Sequence, residues 1–151
     1  MRKQKSARIV VLSIISIPHQ PLLALFGTKP ESYCWSRAKD PRKGTLDLPG
    51  GFVDMYESAE EAAAREVKEE TGLQIDHCEY LFSIPNIYPY KGFEVHTVDM
   101  FFECHVKQFT QAQAADDAAE IIIRQPATLQ PEEFGLTSIR KAIRQYQEMN
   151  C

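Results

Sequence analysis

The distribution of apolar residues along the chain predicts several strands. Two apolar runs, Ala7 to Ile17 and Leu22 to Phe26, are separated by a short proline-containing turn and predict a pair of strands. A third short strand is predicted from Tyr33 to Arg37, and Leu73 to Phe82 is also strand-like. Alternation from Val95 to Val106 predicts a long core strand, because successive side chains of a strand point to opposite faces.

Two segments have the features of helices. Thr137 to Glu148 places Ile139, Ile143 and Tyr146 at positions i, i+4 and i+7, which predicts a C-terminal helix with one apolar face. The second segment follows a glycine turn. There Ser58 is followed three residues later by Glu61, a capping box that predicts a helix from Ala59 to about Thr71, just before Gly72.

Three carboxylates on the second helix lie close together. At about 100° per residue, Glu66, Glu69 and Glu70 share one sector of about 100°, beside the apolar face. A solvated charged face is the common alternative for a glutamate-rich helix. Carboxylates beside a buried face repel one another, and a hard divalent cation bound between them would remove that repulsion energy. All-oxygen ligands favour Mg²⁺ or Mn²⁺ over zinc, which favours histidine and cysteine.

The residues around these carboxylates form a longer pattern, which resembles the Nudix box of the Nudix hydrolase family. Every specified position of that box is matched, namely by Gly51, Glu57, Arg65-Glu66-Val67, Glu69-Glu70 and Gly72-Leu73. The resemblance implies an α/β fold, the Nudix α/β/α sandwich, with a mixed sheet, a loop-helix-loop unit and a C-terminal helix. It is strong from about Arg37 to Leu73 and very weak before Tyr33.

The resemblance also implies which residues form the active site. In the family, the glutamates matching Glu66, Glu69 and Glu70 bind the divalent metal, together with a main-chain carbonyl at the position of Gly50. Many members add a carboxylate just before a late strand. Glu120 is the best positional match for it, although a solvated acidic loop is the alternative there.

Two further box residues are implied to hold the loop. Arg65 and Glu57 match an arginine and a glutamate that pair and brace the glycine loop against the helix. Glu57 lies just before the helix N-terminus, where an anion is favourable. The predicted catalytic set therefore comprises Glu57, Arg65, Glu66, Glu69, Glu70 and Glu120.

The reaction implied by the resemblance is hydrolysis of a diphosphate bond in a nucleoside diphosphate linked to another moiety. The implied cofactor is Mg²⁺ or Mn²⁺, and the general base is not assigned. Within the family, the phrase LDLPGGFVD and the segment after the box are most similar to the NADH pyrophosphatase branch. Weaker cues point to ADP-ribose or dinucleoside polyphosphate substrates, and a nucleoside triphosphate pyrophosphohydrolase is a further alternative. A non-catalytic domain that senses a nucleotide is the alternative from another class.

The segment from Ser83 to Phe93 lies where family members carry specificity residues, and we interpret it as a stiff, aromatic loop. Its rings could stack on a base or a nicotinamide. Packing of these aromatics on the sheet is an equal alternative. Basic residues just before the glycine turn could face phosphates. The predicted substrate-binding residues are Arg37, Phe52, Tyr88, Tyr90 and Phe93.

Composition agrees with a small enzyme that acts on a small molecule. With 151 residues, one domain spanning 1–151 is predicted. A net charge of −4 offers no basic footprint for duplex nucleic acid. The apolar run at Ile9 to Ile17 is too short to span a bilayer, and no membrane association is predicted. Four scattered cysteines favour a reduced, cytoplasmic protein without structural zinc. The oligomeric state, monomer or homodimer, is left open by the sequence.

Overall fold

The computed structural model describes residues 7–27, 44–90, 92–113 and 120–150. These ranges contain seven strands, two α-helices and two short 3₁₀ turns, Pro126–Thr128 and Pro131–Glu133. The strands and helices are β1 (Arg8–Ile17), β2 (Gln20–Gly27), β3 (Leu46–Asp47), β4 (Gly50–Phe52), α1 (Ala59–Thr71), β5 (His77–Tyr90), β6 (Phe93–His105), β7 (Glu120–Arg124) and α2 (Thr137–Met149). The strand predicted from Tyr33 to Arg37 lies outside the described residues. No helix within the described ranges is long and apolar enough to cross a membrane.

The strands form one mixed sheet with β1 near its centre. β1 runs parallel to β6, and β5 pairs antiparallel with β6 at the edge of the sheet. On its other side, β1 pairs with two strands in turn: β4 along Val10 to Leu12 and β2 along Ile15 to Ile17. β2 also pairs with β7. This arrangement places β4, and the loop that follows it, beside the N-terminal half of β1.

Each face of the sheet is covered by one helix. Successive residues of β1 point to opposite sides, so β1 contributes side chains to both cores. Leu12 and Ile14 pack with Phe101 and residues of α2 in one core cluster. Val11 and Ile15 pack with residues of α1 in the other. The two cores separate the molecule into helix, sheet and helix layers, which confirms the α/β/α sandwich.

The local predictions for four elements agree with the structure. β1 and β6 occupy the predicted apolar segments, and α1 covers the predicted 59–71 range. α2 runs from Thr137 to Met149 and buries Ile139, Ile143 and Tyr146 as its spacing predicts. The apolar residues at the start of the chain therefore form a central strand.

The segment from Ser83 to Phe93 differs from its prediction as a loop. β5 begins at His77 and continues to Tyr90, so most of this segment is a strand that pairs with β6 in a long hairpin. Pro85 is compatible with this because β5 lies at the sheet edge, where a residue without an N–H group is tolerated. The pairing register slips between Tyr80 and Phe82, at a bulge or irregularity.

Two cysteines face each other across the β5–β6 hairpin. Cys78 and Cys104 are directly paired in register and are free thiols. Burial raises the pKa of both, that of Cys104 to about 12. These thiols are therefore protonated at neutral pH. Cys34 and Cys151 lie outside the described residues.

Candidate active site

The start and end of α1 are fixed by hydrogen bonds that the sequence encodes locally. Ser58 Oγ accepts from the Glu61 N–H at 3.1 Å, and the Glu61 carboxylate accepts from the Ser58 N–H at 3.0 Å. At the other end, Gly72 adopts a φ of 72° and donates its N–H to Lys68 O at 2.9 Å. The helix is therefore capped at both ends, which fixes the rotation of its carboxylates relative to the preceding loop.

Arg65 connects the helix to the glycine loop. Its guanidinium donates to both oxygens of Glu57, at 2.7 and 2.8 Å, and to the carbonyl of Phe52 at 3.2 Å. The hydrogen bonds from Arg65, followed by that from the Asp54 N–H, hold the pKa of Glu57 at about 2. Glu57 is therefore ionised throughout the physiological pH range. The predicted Arg65–Glu57 pair is present as a two-pronged ion pair.

The same guanidinium also holds two of the three clustered carboxylates. Arg65 Nη1 lies 2.8 Å from Glu66 Oε1 and 3.3 Å from Glu69 Oε2. Glu57 foremost, and then Glu66, raise the pKa of Arg65 above its ordinary value. Glu66 is largely shielded, with 14% of its side chain exposed, whereas Glu69 is 54% exposed. Glu66 is thus the better enclosed of the two.

The third carboxylate contacts the glycine turn directly. Glu70 Oε2 accepts from the backbone N–H of Gly50 at 3.0 Å. Gly51 is needed beside Glu66, because a Cβ there would lie 2.4 Å from Glu66 Oε1. Two of the three side chains therefore lie against the turn, Glu66 at Gly51 and Glu70 at Gly50, whereas Glu69 is held through Arg65. Carboxylate oxygens around a backbone turn fit a hard divalent cation.

Glu120 is separated from this cluster by the sheet topology. It is the first residue of β7, is exposed, and pairs in register with Gly27 of β2. Ala24 pairs with β1 on one side and with β7 on the other, so β7 lies beyond β2 from β1. Arg65 thus joins Glu57, Glu66 and Glu69, and Glu70 lies at Gly50, whereas Glu120 is on a more distant strand.

The described aromatic candidates lie on the opposite face of the sheet from the carboxylates. Phe52 pairs with Val10, whose side chain packs in the α2-side core. It is 44% exposed, and the Arg8 guanidinium lies 5.6 Å from its ring centroid. Phe82 and Ile84 also pack in that core, so Tyr88 continues the α2-side row of β5. Arg37 and the side chains of Tyr90 and Phe93 lie outside the described part of the structure.

An apolar shelf extends instead from the α1 side of β1 toward the sheet edge. Ile9, Val98 and Pro85 form one row across β1, β6 and β5 in register. Alternation from Val11, which packs against α1, places this row on the same face as the box. Ile87 is next along β5 on this face and is 51% exposed. The register slip at Tyr80 reverses which side chains of β5 face α1, so the sequence pattern did not predict Pro85 and Ile87 on this face.

The Arg65 contacts predict a joint loss of stability and activity. Arg65→Ala removes the partner of Glu57, Glu66 and Glu69, and we expect it to lower the free energy of unfolding by about 2 kcal/mol. Activity should fall as well, because the glycine loop is no longer held against α1. Melting curves and steady-state rates would be compared with those of Lys68→Ala, an exposed change on the same helix. Unchanged stability of Arg65→Ala would contradict the bracing role.

Comparison with known proteins agrees with this site. The family model described as NUDIX domain matches residues 23–146. An ADP-ribose pyrophosphatase of Methanocaldococcus jannaschii is 40% identical over 86 residues, which cover 56% of this chain and 48% of that protein. The NAD-capped RNA hydrolase NudC of Vibrio vulnificus is 42% identical over 48 residues, which cover 32% of this chain and 18% of that protein. The chain thus spans less than half the length of these two curated relatives.

A solved structure shares the whole fold at low identity. The NUDIX domain of Shewanella oneidensis NrtR, complexed with ADP ribose, superposes with a TM-score of 0.70 at 17% identity. The match covers 98% of this chain and 91% of that chain. At such identity the similarity supports the layered fold alone.

Proposed function

Because this chain belongs to the NUDIX domain family, we propose that it hydrolyses a diphosphate bond in a nucleotide substrate with the help of Mg²⁺ or Mn²⁺. One observation carries the proposal: Glu66 lies against Gly51 and Glu70 accepts from the Gly50 N–H, while Arg65 holds Glu66 and Glu69. A merely solvated helix face would not need a glycine to admit one of its carboxylates. Release of a nucleoside monophosphate in the presence of Mg²⁺ is the test.

The chain's own residues divide the work of such a reaction. Glu66, Glu69 and Glu70 would hold the cation, and Gly51 lets the Glu66 carboxylate approach the backbone. Arg65 keeps the loop and helix at a fixed separation through Glu57 and Phe52 O. When bound, the cation would neutralise charge at the phosphate and lower the pKa of a bound water. A carboxylate of the cluster would accept the proton of the attacking water.

For the substrate, we propose a nucleoside diphosphate joined to a second group, of the ADP-ribose or NADH type. The names of the two curated relatives, an ADP-ribose pyrophosphatase and an NAD-capped RNA hydrolase, support this class. The apolar shelf of Ile9, Pro85, Ile87 and Val98 supports it independently. It gives the second group of the substrate a surface on the same face as the box. This surface spans from β1 to β5, two inter-strand steps or roughly 10 Å.

A substrate panel would test this specificity. NADH, ADP-ribose, dinucleoside polyphosphates, nucleoside triphosphates and nucleotide sugars would be scored by kcat/KM. We expect Ile87→Ala to lower kcat/KM about five-fold for the best two-group substrate, because about 1 kcal/mol of apolar contact is lost. A nucleoside triphosphate without a second group should change little. A best substrate among the triphosphates would contradict the proposed class.

Tyr88 provides the matched comparison, since it follows Ile87 in β5 and faces the other side of the sheet. If the ring of Tyr88 stacks on the substrate, as the sequence predicts, Tyr88→Ala should give a selective loss of about ten-fold. If the shelf binds the second group, the selective loss should belong to Ile87→Ala. The pair of variants therefore distinguishes the two faces.

A nucleotide sensor without catalysis remains the alternative function. The complete set of carboxylates argues against it, because binding alone does not require all three. Calorimetric binding of a nucleotide in Mg²⁺, with no turnover across the whole panel, would establish the sensor and overturn the hydrolase.

A further inference from the structure

A second group of potential metal ligands lies far along the sheet from the box. His77 and His105 are directly paired across β5 and β6, and Glu79 is two residues from His77 on the same strand. One ligand atom from each of these three side chains lies within 4.8 Å of the others. They belong to the α2 face, because Glu103 and His105 continue the row of Phe101, which packs against α2.

The hydrogen bonds of Ser16 determine which ring nitrogen of His105 carries the proton. Ser16 Oγ donates its single proton to Glu103 Oε1 at 3.0 Å, so at 3.2 Å it can only accept from His105 Nδ1. His105 Nε2 lies 3.7 Å from Glu103 Oε1, which is too long for a hydrogen bond. The neutral ring therefore carries its proton on Nδ1 and keeps the lone pair of Nε2 for another partner.

Glu103 is itself fixed from a second side. Its Oε1 also accepts from Tyr146 OH of α2 at 3.2 Å. Glu103 thereby orients Ser16, and Ser16 orients His105. A histidine whose second ring nitrogen donates to an oriented oxygen is the usual arrangement of a metal-binding imidazole.

We propose that His77, Glu79 and His105 form a second cation site, which takes Zn²⁺ or a similar borderline divalent metal. Two imidazole nitrogens and one carboxylate oxygen suit such an ion, and water can complete the coordination. Mg²⁺ prefers oxygen ligands, so a donor set with two imidazoles disfavours it. The site joins the edge strand β5 to β6, so binding should stabilise the hairpin.

Binding requires one movement. The two imidazole rings stack with centroids 4.3 Å apart and an interplanar angle of 13°, and one ion cannot lie in both ring planes. His105 is fixed by Ser16, whereas 54% of the His77 side chain is exposed. His77 must therefore rotate out of the stack to share the ion.

Calorimetric titration of the full chain with Zn²⁺, in excess Mg²⁺ to occupy the box, tests the site. We expect one high-affinity Zn²⁺ per chain and a rise of the melting temperature, because a ligand that binds only the folded state stabilises it. His77→Gln should weaken Zn²⁺ binding at least about ten-fold, and Glu79→Gln should also weaken it. Both changes affect exposed side chains.

Two controls separate this site from other zinc ligands. His96→Gln changes a histidine of β6 that lies nine residues, or roughly 30 Å, from His105 along the same strand. It should leave the Zn²⁺ affinity unchanged. Glu66→Gln should also leave it unchanged, since that residue belongs to the box. Equal Zn²⁺ affinity of His77→Gln and the wild type, or loss of binding in Glu66→Gln, would overturn the proposal.

Discussion

Glu66→Gln and Glu70→Gln are each expected to lower kcat by at least about 100-fold, since one lost metal contact in the transition state is worth about 3 kcal/mol. Glutamine keeps the size of the side chain and removes its charge. Glu70→Gln should leave stability intact or raised, because it relieves repulsion from Glu66 and its amide oxygen can still accept from the Gly50 N–H. Glu66→Gln also gives up an ion pair with Arg65.

The measurement is the steady-state rate over a range of Mg²⁺ concentrations, with melting curves for every variant. Glu60→Gln is the matched control, since Glu60 is an exposed glutamate in the first turn of the same helix. It should retain the wild-type rate. Near wild-type kcat in both Glu66→Gln and Glu70→Gln would remove the basis of the proposed hydrolase.

Alanine at the two adjacent glycines should separate folding from catalysis. A Cβ on Gly50 would lie 2.0 Å from the backbone oxygen of Val11, so the pairing of β4 with β1 has to open. We expect Gly50→Ala to lower the free energy of unfolding by about 3 kcal/mol or more. A Cβ on Gly51 meets only the end of the Glu66 side chain, which can move.

Gly51→Ala should therefore fold and lose activity, by about ten-fold or more if displacing Glu66 costs over 1.4 kcal/mol of transition-state stabilisation. Urea titration and kcat, measured on both variants, provide the comparison. Gly44→Ala is a poor control because its φ of 72° strains any side chain. Ala64→Gly on the exposed face of α1 gives a helix-propensity reference of about 1 kcal/mol. Equal stability of Gly50→Ala and Gly51→Ala would contradict the steric argument.

The box and its brace could be predicted from sequence because their interactions are local. Ser58 and Glu61 cap the helix within one turn, and Glu57 is eight residues from Arg65. Helical geometry alone brings Glu66, Glu69 and Glu70 to one side. The layered fold followed from the family resemblance together with the apolar periodicity of β1, β6 and α2.

The substrate side of the site could not be predicted, because it depends on strand register. A slip of one residue moves every following side chain to the other face, and the slip at Tyr80 has no signature in the sequence. For the same reason nothing indicated that His77 and His105 would be neighbours. They are 28 positions apart and meet only through the β5–β6 pairing, where their rings stack.

The edge position of β5 has a consequence for the behaviour of the protein in concentrated solution. An exposed edge strand presents unpaired N–H and C=O groups and can recruit the edge of another molecule, which leads to aggregation. Pro85 and Pro89 have no N–H group to offer, and they lie in the half of β5 nearest the hairpin turn. We expect these prolines to disfavour strand-to-strand association at the end of the sheet beside the proposed substrate shelf. The side chains of the shelf stay accessible to a small molecule.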